Sequence, residues 1–229
     1  MSSNQLTYHI DLVLCIDCTG SMRSTLQSVK DAARDFHHVF ATRMTEKGKF
    51  ITGMRVRIVA FRDIFADDPS FEVSDFFNVE QDADSLQLFL DGLRAKGGGG
   101  DGPESALEAL SIAINSPWLT EANRLRHVVV MWTDALPHPL EKGVDLHTQS
   151  LFSADIAGDL NELTDWWNDR QNDRIRHEAK RLVIFAPEKG AWIDIAENWD
   201  NTVYLPSLAG KGLREFEFDQ ILEILANSI

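Results

Sequence analysis

The sequence predicts an α/β fold of the doubly wound, Rossmann-like type, with a mostly parallel central sheet, one antiparallel edge strand and helices on both faces. Apolar runs of strand length alternate along the chain with amphipathic helical patterns. The runs at 12–16 and 128–132 are apolar throughout, which is typical of parallel strands covered on both faces. With 229 residues, 44% of them hydrophobic, the chain is expected to form a single domain over residues 1–229.

The charge balance excludes several partner classes. The chain has 22 Lys and Arg against 36 Asp and Glu, a formal net charge of -14, which would repel nucleic acid and anionic lipid surfaces. Residues 1–5 lack the features of a signal peptide, and no apolar run approaches the roughly 18 residues of a membrane span, so a cytoplasmic protein is expected. The two cysteines, Cys15 and Cys18, cannot form a disulfide framework.

The first half of the chain predicts three strands and three helices. The first strand ends at Asp17, and apolar residues at steps of three and four predict a helix over 21–43. A second strand is expected over 54–61, and the turn after it predicts an antiparallel edge strand over 71–76. Two further helices are expected over 86–93 and 107–114, separated by a glycine loop at 97–102.

The second half repeats the pattern of the first strand. An apolar run from 127 again ends in a hydroxyl residue and an acid, Thr133 and Asp134. Within the long interval 135–180, the spacing of apolar residues predicts one helix through Ile156 and Trp167. The remaining predicted elements are strands over 181–186 and 202–205 and helices over 192–199 and 213–229.

Oxygen-bearing side chains follow the predicted strands. Asp17, Thr19 and Ser21 follow the first strand, Asp101 lies in the glycine loop, and Asp134 follows the strand that starts at 127. In an open parallel sheet, ligands bind beyond the carboxyl ends of the strands. Because the donors are hard oxygen atoms without His or Cys among them, the pattern favours Mg²⁺, Mn²⁺ or Ca²⁺ over zinc.

These residues resemble the metal-ion-dependent adhesion site (MIDAS) of von Willebrand factor type A domains, the family that includes integrin inserted domains. A subset of that family is similar to this chain in the run Gly-Gly-Gly-Asp-x-Pro-Glu at 98–104 and in the run Thr-Asp-Ala-x-Pro-His at 133–138. The resemblance covers nearly the whole chain. It implies that the hydroxyls of Thr19 and Ser21 bind the metal directly, Asp17 binds partly through water, and Asp134 is the acid of the third loop.

The chain departs from the family pattern at two positions. Thr19 stands where Ser is usual, which keeps one hydroxyl, and Asp101 stands where Thr is the usual ligand. If Asp101 ligates, the site carries one more negative charge, so it should hold its metal more tightly and attract an acidic partner less. Helix capping is the alternative for Asp101, which with Glu104 fits a capping box, and also for Thr19 and Ser21.

Two further residues are candidates for a place at the same crevice. Asp63 follows the second strand and would border the crevice if that strand neighbours the first, although an exposed loop acid is the alternative. His138 follows the third loop and could face an incoming ligand or carry a proton.

Two functions compete on this evidence. The first is a non-enzymatic interaction module, similar to bacterial stand-alone members of the family, whose metal accepts a carboxylate from a partner protein. The second is a metal-dependent hydrolase of the phosphoesterase kind, in which the same ion activates water. The sequence offers no second metal cluster and no evident base, so we expect the interaction module.

Overall fold

The computed structural model describes residues 6–33, 36–100, 102–122, 124–148, 150–170, 174–207, 223–224 and 226–227. Two sequence predictions therefore cannot be followed. Asp101 lies outside the described residues, as does most of the closing helix predicted over 213–229.

The described chain alternates strands and helices. The strands are β1 (Leu6–Asp17), β2 (Lys49–Phe61), β3 (Phe71–Val73), β4 (Phe77–Asn78), β5 (Leu125–Trp132), β6 (Lys180–Pro187) and β7 (Thr202–Ser207). The helices are α1 (Arg23–Ala33), α2 (Phe36–Glu46), α3 (Ala83–Gly92), α4 (Ala106–Ile114), α5 (Val144–His147), α6 (Leu160–Asn168) and α7 (Ala191–Asn198). Short 3₁₀ turns at Gly20–Met22, Leu140–Gly143 and Ser153–Asp155 complete the described elements.

The strands form one mixed sheet with the order β3-β2-β1-β5-β6-β7, and β4 also pairs with β2. The pairs β2–β1, β1–β5, β5–β6 and β6–β7 are parallel, whereas β3 and β4 run antiparallel to β2. This arrangement confirms the predicted fold class, including the antiparallel edge. β1 lies between β2 and β5, so the loops that follow these three strands meet at one edge of the sheet.

Alternate residues of the central strands face two separate cores. In β5, Val128, Val130 and Trp132 pack in one core, while Val129 and Met131 pack in the other. Because both faces are covered, the strand is apolar along almost its whole length, which explains the continuous apolar run in the sequence. None of the helices described is long and apolar enough to cross a membrane.

Three predicted elements differ from the structure. The single helix predicted over 21–43 is a 3₁₀ turn followed by the two helices α1 and α2. The edge strand predicted over 71–76 ends at Val73, because the hydroxyl of Ser74 accepts a hydrogen bond from the backbone N–H of Ile58 at 2.9 Å, and the second antiparallel strand, β4, begins only at Phe77. Ile156 lies before α6, and its burial belongs to a loop rather than to a helix.

Candidate metal centre

Asp17 is the centre of a hydrogen-bond network at the carboxyl end of β1. Its carboxylate is buried and uses both oxygens. Oδ1 accepts from the backbone N–H of Thr19 at 2.9 Å and from the Thr19 hydroxyl at 2.6 Å, and Oδ2 accepts from the Thr133 hydroxyl at 2.7 Å. Two loops that follow neighbouring parallel strands are thus joined through one acid.

Ser21 and Asp134 extend this network towards solvent. The Ser21 hydroxyl lies 3.2 Å from the Thr19 hydroxyl and donates to Oδ1 of Asp134 at 2.9 Å. Asp134 is 4% exposed, and its second oxygen, Oδ2, is buried without a hydrogen-bond partner. Buried carboxylate oxygens are normally satisfied by a donor or a cation, so this oxygen is suited to an ion beside it.

Burial raises the pKa of Asp17 to about 6. Desolvation is the largest cause, and the negative charge of Asp134 acts in the same direction, while the hydrogen bonds from Thr19 and Thr133 lower the pKa. A carboxylate in such a place is stabilised in its ionised form by a neighbouring cation. Burial and the charge of Asp134 thus both disfavour the ionised form of Asp17, and a cation bound beside it would offset them.

The Thr19 hydroxyl does not cap a helix. Thr19 is the N-cap residue of the 3₁₀ turn, yet its side chain makes no capping hydrogen bond. The hydroxyls of Thr19 and Ser21 donate to Asp17 and Asp134 respectively. The capping alternative for Thr19 is therefore wrong, whereas capping by Ser21 stays a prediction.

The glycine loop packs against the first loop. Gly97 accepts a hydrogen bond from the backbone N–H of Gly20 at 3.3 Å. At Gly98, where φ is +100°, an added Cβ would lie 3.1 Å from Cβ of Thr19 and 2.9 Å from Oε1 of Glu104. Only a residue without a side chain permits this close approach.

Glu104 joins the site although the sequence placed it only in a capping box. It is 5% exposed, and its Oε1 lies beside Gly98 and close to Thr19. Its backbone also links the second and third loops, since its N–H donates to Leu136 O at 2.9 Å and its C=O accepts from His138 N at 3.0 Å. The sequence signal for Glu104 was its place at the end of the run at 98–104 that resembles a subset of the family.

The capping-box interpretation of Asp101 and Glu104 is wrong. Helix α4 begins at Ala106 with Ser105 as its N-cap residue, so position 101 is not the helix cap. Asp101 itself lies outside the described residues, and its role as a ligand stays a prediction.

Asp63 and His138 lie side by side and are both buried, 1% exposed each. Nε2 of His138 is 3.3 Å from Oδ1 of Asp63, and its Nδ1 is 3.3 Å from Nζ of Lys142. Since an ammonium group can only donate, Nδ1 accepts and Nε2 carries the proton, and Nε2 lies beside Asp63 without a hydrogen bond to it. His138 therefore does not face an incoming ligand, and Asp63 is not an exposed loop acid.

Asp63 nevertheless borders the crevice as predicted. β2 is the parallel neighbour of β1, and the backbone N–H of Asp63 lies 3.2 Å from Oδ2 of Asp67. The same Asp67 oxygen accepts from the N–H of Gly98 at 2.9 Å. The loop after β2 thus supports the glycine loop from behind.

The donor set fits a hard divalent cation. Within the described ranges, no three His, Cys, Asp or Glu side chains gather as a metal cluster, so the hydroxyl groups are needed to complete the set. The set consists of the carboxylates of Asp17 and Asp134 and the hydroxyls of Thr19 and Ser21, and Oδ2 of Asp134 has no hydrogen-bond partner. These oxygen atoms match the ligand preference of Mg²⁺ and Mn²⁺.

Comparison with known proteins decides the family. A family model described as the von Willebrand factor A domain matches residues 11–142, more than half of the 229 residues. The chain belongs to the von Willebrand factor A domain family. A search of curated proteins finds no match.

Two solved structures, a pilus adhesin and a byssus matrix protein, have the same fold as this chain. The pilus adhesin SpaC from Lactobacillus rhamnosus GG is similar with a TM-score of 0.52 at 9% identity, covering 98% of this chain and 31% of the adhesin. Proximal thread matrix protein 1 from the mussel byssus gives 0.50 at 9%, covering 98% and 49%. A von Willebrand factor type A protein from Catenulispora acidiphila gives 0.49 at 13%, covering 97% and 43%.

The likenesses to the adhesin and to the matrix protein show the fold alone. The chain spans 31% to 49% of the length of the three solved proteins, which are therefore substantially longer. Adhesion and matrix roles belong to those proteins as their names state them.

Proposed function

We propose that this von Willebrand factor A domain is a divalent-cation-dependent protein interaction module whose MIDAS-type site accepts a carboxylate of a partner protein. The observation that carries the proposal is the joined set of oxygen atoms at Asp17, Thr19, Ser21 and Asp134, with Oδ2 of Asp134 buried and unpartnered. The solved neighbours include an adhesin and a matrix protein, which supports an interaction role.

The side chains at the site have different roles. Asp17 and Asp134 supply the negative charge, and the hydroxyls of Thr19 and Ser21 supply neutral oxygen donors. Thr133 fixes Asp17 by donating to its Oδ2. The cation, when bound, supplies an electrophilic position that a partner carboxylate can occupy.

The opening of the site is formed by exposed residues. Gly20, Ser21, Gly97 and Gly99 are exposed, whereas Asp17 and Asp134 lie beneath them. A carboxylate at the end of a partner side chain can enter past glycines, which add no bulk.

Two negative charges balance a divalent ion, and Glu104 adds a further negative charge nearby. We therefore expect tight metal binding and a modest attraction for acidic partners.

Hydrolysis receives no support from the geometry. His138 is the nearest candidate base from the sequence, but it is buried, with Nε2 directed at Asp63 and Nδ1 at Lys142. A base must reach the proton that it removes. No observation therefore favours the hydrolase over the interaction module.

The test is capture of partners from cell extract with Mg²⁺ or with EDTA, using the wild type, Ser21→Ala and Ser28→Ala. Ser28 is an exposed serine of α1 outside the site, so it is the matched control. The proposal expects a captured protein that is lost with EDTA and with Ser21→Ala but kept with Ser28→Ala. Capture that is indifferent to EDTA and to Ser21→Ala contradicts it.

The carboxylate is tested separately by competition. Short peptides that contain Asp or Glu should release the captured partner, while matched peptides with Asn or Gln should not. Equal release by the two sets would refute carboxylate recognition while leaving the metal requirement intact.

A further inference from the structure

A separate cavity lies at the amino-terminal ends of β5 and β6, at the opposite end of the sheet from the candidate metal centre. Its volume is about 450 Å³, and its walls include Trp118, His127 and the segment just before β6. Small-molecule sites commonly have volumes of this order. Asp134 follows the other end of β5, so the two sites are separated by on the order of 20 Å.

Arginine dominates the wall of this cavity. Among the described residues, Arg170, Arg174 and Arg176 line it together with one acid, Glu178, in a chain whose net charge is -14. Nη2 of Arg176 donates to Thr120 O at 3.2 Å, and Arg174 lies over the ring of Trp166 at 4.3 Å. These contacts orient two of the guanidinium groups, and each guanidinium has five N–H donors in a fork that suits phosphate oxygens.

His127 adds an acceptor to the same wall. The ring is 1% exposed and stacks on Trp118 with a centroid distance of 4.8 Å and an angle of 21°. Burial lowers the pKa of His127, so the ring is neutral near pH 7. Nε2 lies 2.9 Å from Leu119 O, and because a carbonyl can only accept, Nε2 carries the proton.

The other ring nitrogen of His127 is then a lone-pair acceptor. Nδ1 is buried, and no hydrogen-bond partner for it exists in the described structure. Because Nδ1 is buried, a ligand in the cavity does not reach its lone pair. The arginines therefore carry the recognition of an anion in this cavity.

We propose that this cavity binds a small phosphate ester. The phosphate accepts hydrogen bonds from Arg170, Arg174 and Arg176. The site is independent of the proposed metal-dependent function, because it uses none of the same residues and lies at the other end of the sheet.

Isothermal titration calorimetry with ribose 5-phosphate tests the proposal. The titration is done in EDTA, so that any heat from a cation at Asp17 and Asp134 is absent. We expect a Kd below about 1 mM and an affinity loss of about tenfold or more in Arg170→Ala and in Arg174→Ala, since each removes charge-assisted hydrogen bonds. Absence of binding up to about 10 mM overturns the proposal.

Arg126→Ala is the matched control for charge. Arg126 is in the same strand as His127, but its guanidinium lies 5.1 Å from the ring centre of Tyr8, which packs in the core on the other face of the sheet. The control should keep the affinity within about twofold of wild type. An equal loss in Arg126→Ala would show that only general charge attraction is measured and would overturn the site.

Discussion

Asp134→Asn removes one negative charge from the candidate metal site and keeps the size and shape of the side chain. The amide keeps an oxygen to accept the hydrogen bond from Ser21, now 2.9 Å long, and removes the carboxylate whose Oδ2 has no partner. Two unit charges 4 Å apart interact by roughly 4 kcal/mol at an effective dielectric constant of 20. Loss of one carboxylate beside a divalent ion should therefore weaken Mn²⁺ binding by at least about 100-fold.

The effect on thermal stability follows from this loss. At a Mn²⁺ concentration 100 times its Kd, the ion stabilises the wild type by about 2.7 kcal/mol, which is roughly 5–10 °C in Tm for a chain of this size. With a 100-fold weaker Kd, the same concentration gives about 0.4 kcal/mol, or about 1 °C. Without metal, Asp134→Asn should have nearly the wild-type Tm, because it also relieves the repulsion with Asp17.

The assay is a thermal melt with Mn²⁺ and with EDTA, followed by circular dichroism. Asp165→Asn makes the same change of charge at an exposed position of α6 and should keep the full shift. A full Mn²⁺ shift in Asp134→Asn, or an equal loss in Asp165→Asn, would refute the assignment of Asp134.

Three further predictions address the glycine loop, its neighbouring acid and a buried lysine. Gly98→Ala should weaken Mn²⁺ binding and lower Tm by several degrees, because the added Cβ would lie 2.9 Å from Oε1 of Glu104. Gly100→Ala is the control in the same melts. Gly100 also has a positive φ, but its added Cβ would meet no atom within 4 Å, so this variant measures the cost of backbone strain alone. Glu104→Gln should lower Mn²⁺ affinity by about tenfold in calorimetry, and unchanged affinity would exclude an electrostatic role. Burial lowers the pKa of Lys180 to about 8, so this lysine makes the unfolded chain bind more protons between pH 8 and 10.5 and adds on the order of 1–3 kcal/mol to the free energy of unfolding across that range. The buried thiols of Cys15 and Cys18, whose pKa values burial raises, act in the opposite direction. In urea melts the free energies of unfolding of wild type and of the exposed control Lys189→Met should therefore rise relative to that of Lys180→Met over this range, and an unchanged difference would contradict the assignment.

The sequence was sufficient to predict the sheet and its chemistry-bearing edge. Continuous apolar runs identified β1 and β5 as buried parallel strands, and the residues directly after them, such as Asp17 and Asp134, had to lie at the same edge. The pattern also predicted the antiparallel edge. It could not predict that β4 exists, because two residues carry no periodicity.

The errors at the site come from long-range packing. His138 is buried because residues far along the chain, Asp63 and Phe65, cover it; the rings of Phe65 and His138 lie 4.7 Å apart. Glu104 was assigned to a cap because its spacing from Asp101 fits a capping box, whereas α4 begins at Ala106 with Ser105 as its N-cap. The position of Glu104 beside Gly98 depends on a loop conformation that composition does not encode. The arginine-lined cavity was also missed, since Trp118 and Arg176 meet only in three dimensions.

Direct Mn²⁺ binding measured by electron paramagnetic resonance tests the central claim most closely. The free-ion signal should fall until one Mn²⁺ is bound per chain, and excess Mg²⁺ should restore it. The decrease should be lost in Asp17→Asn and kept in the exposed control Ser28→Ala. A free-ion signal that is unaffected by the wild-type protein, or an equal decrease with Asp17→Asn, would contradict a cation site at the end of β1.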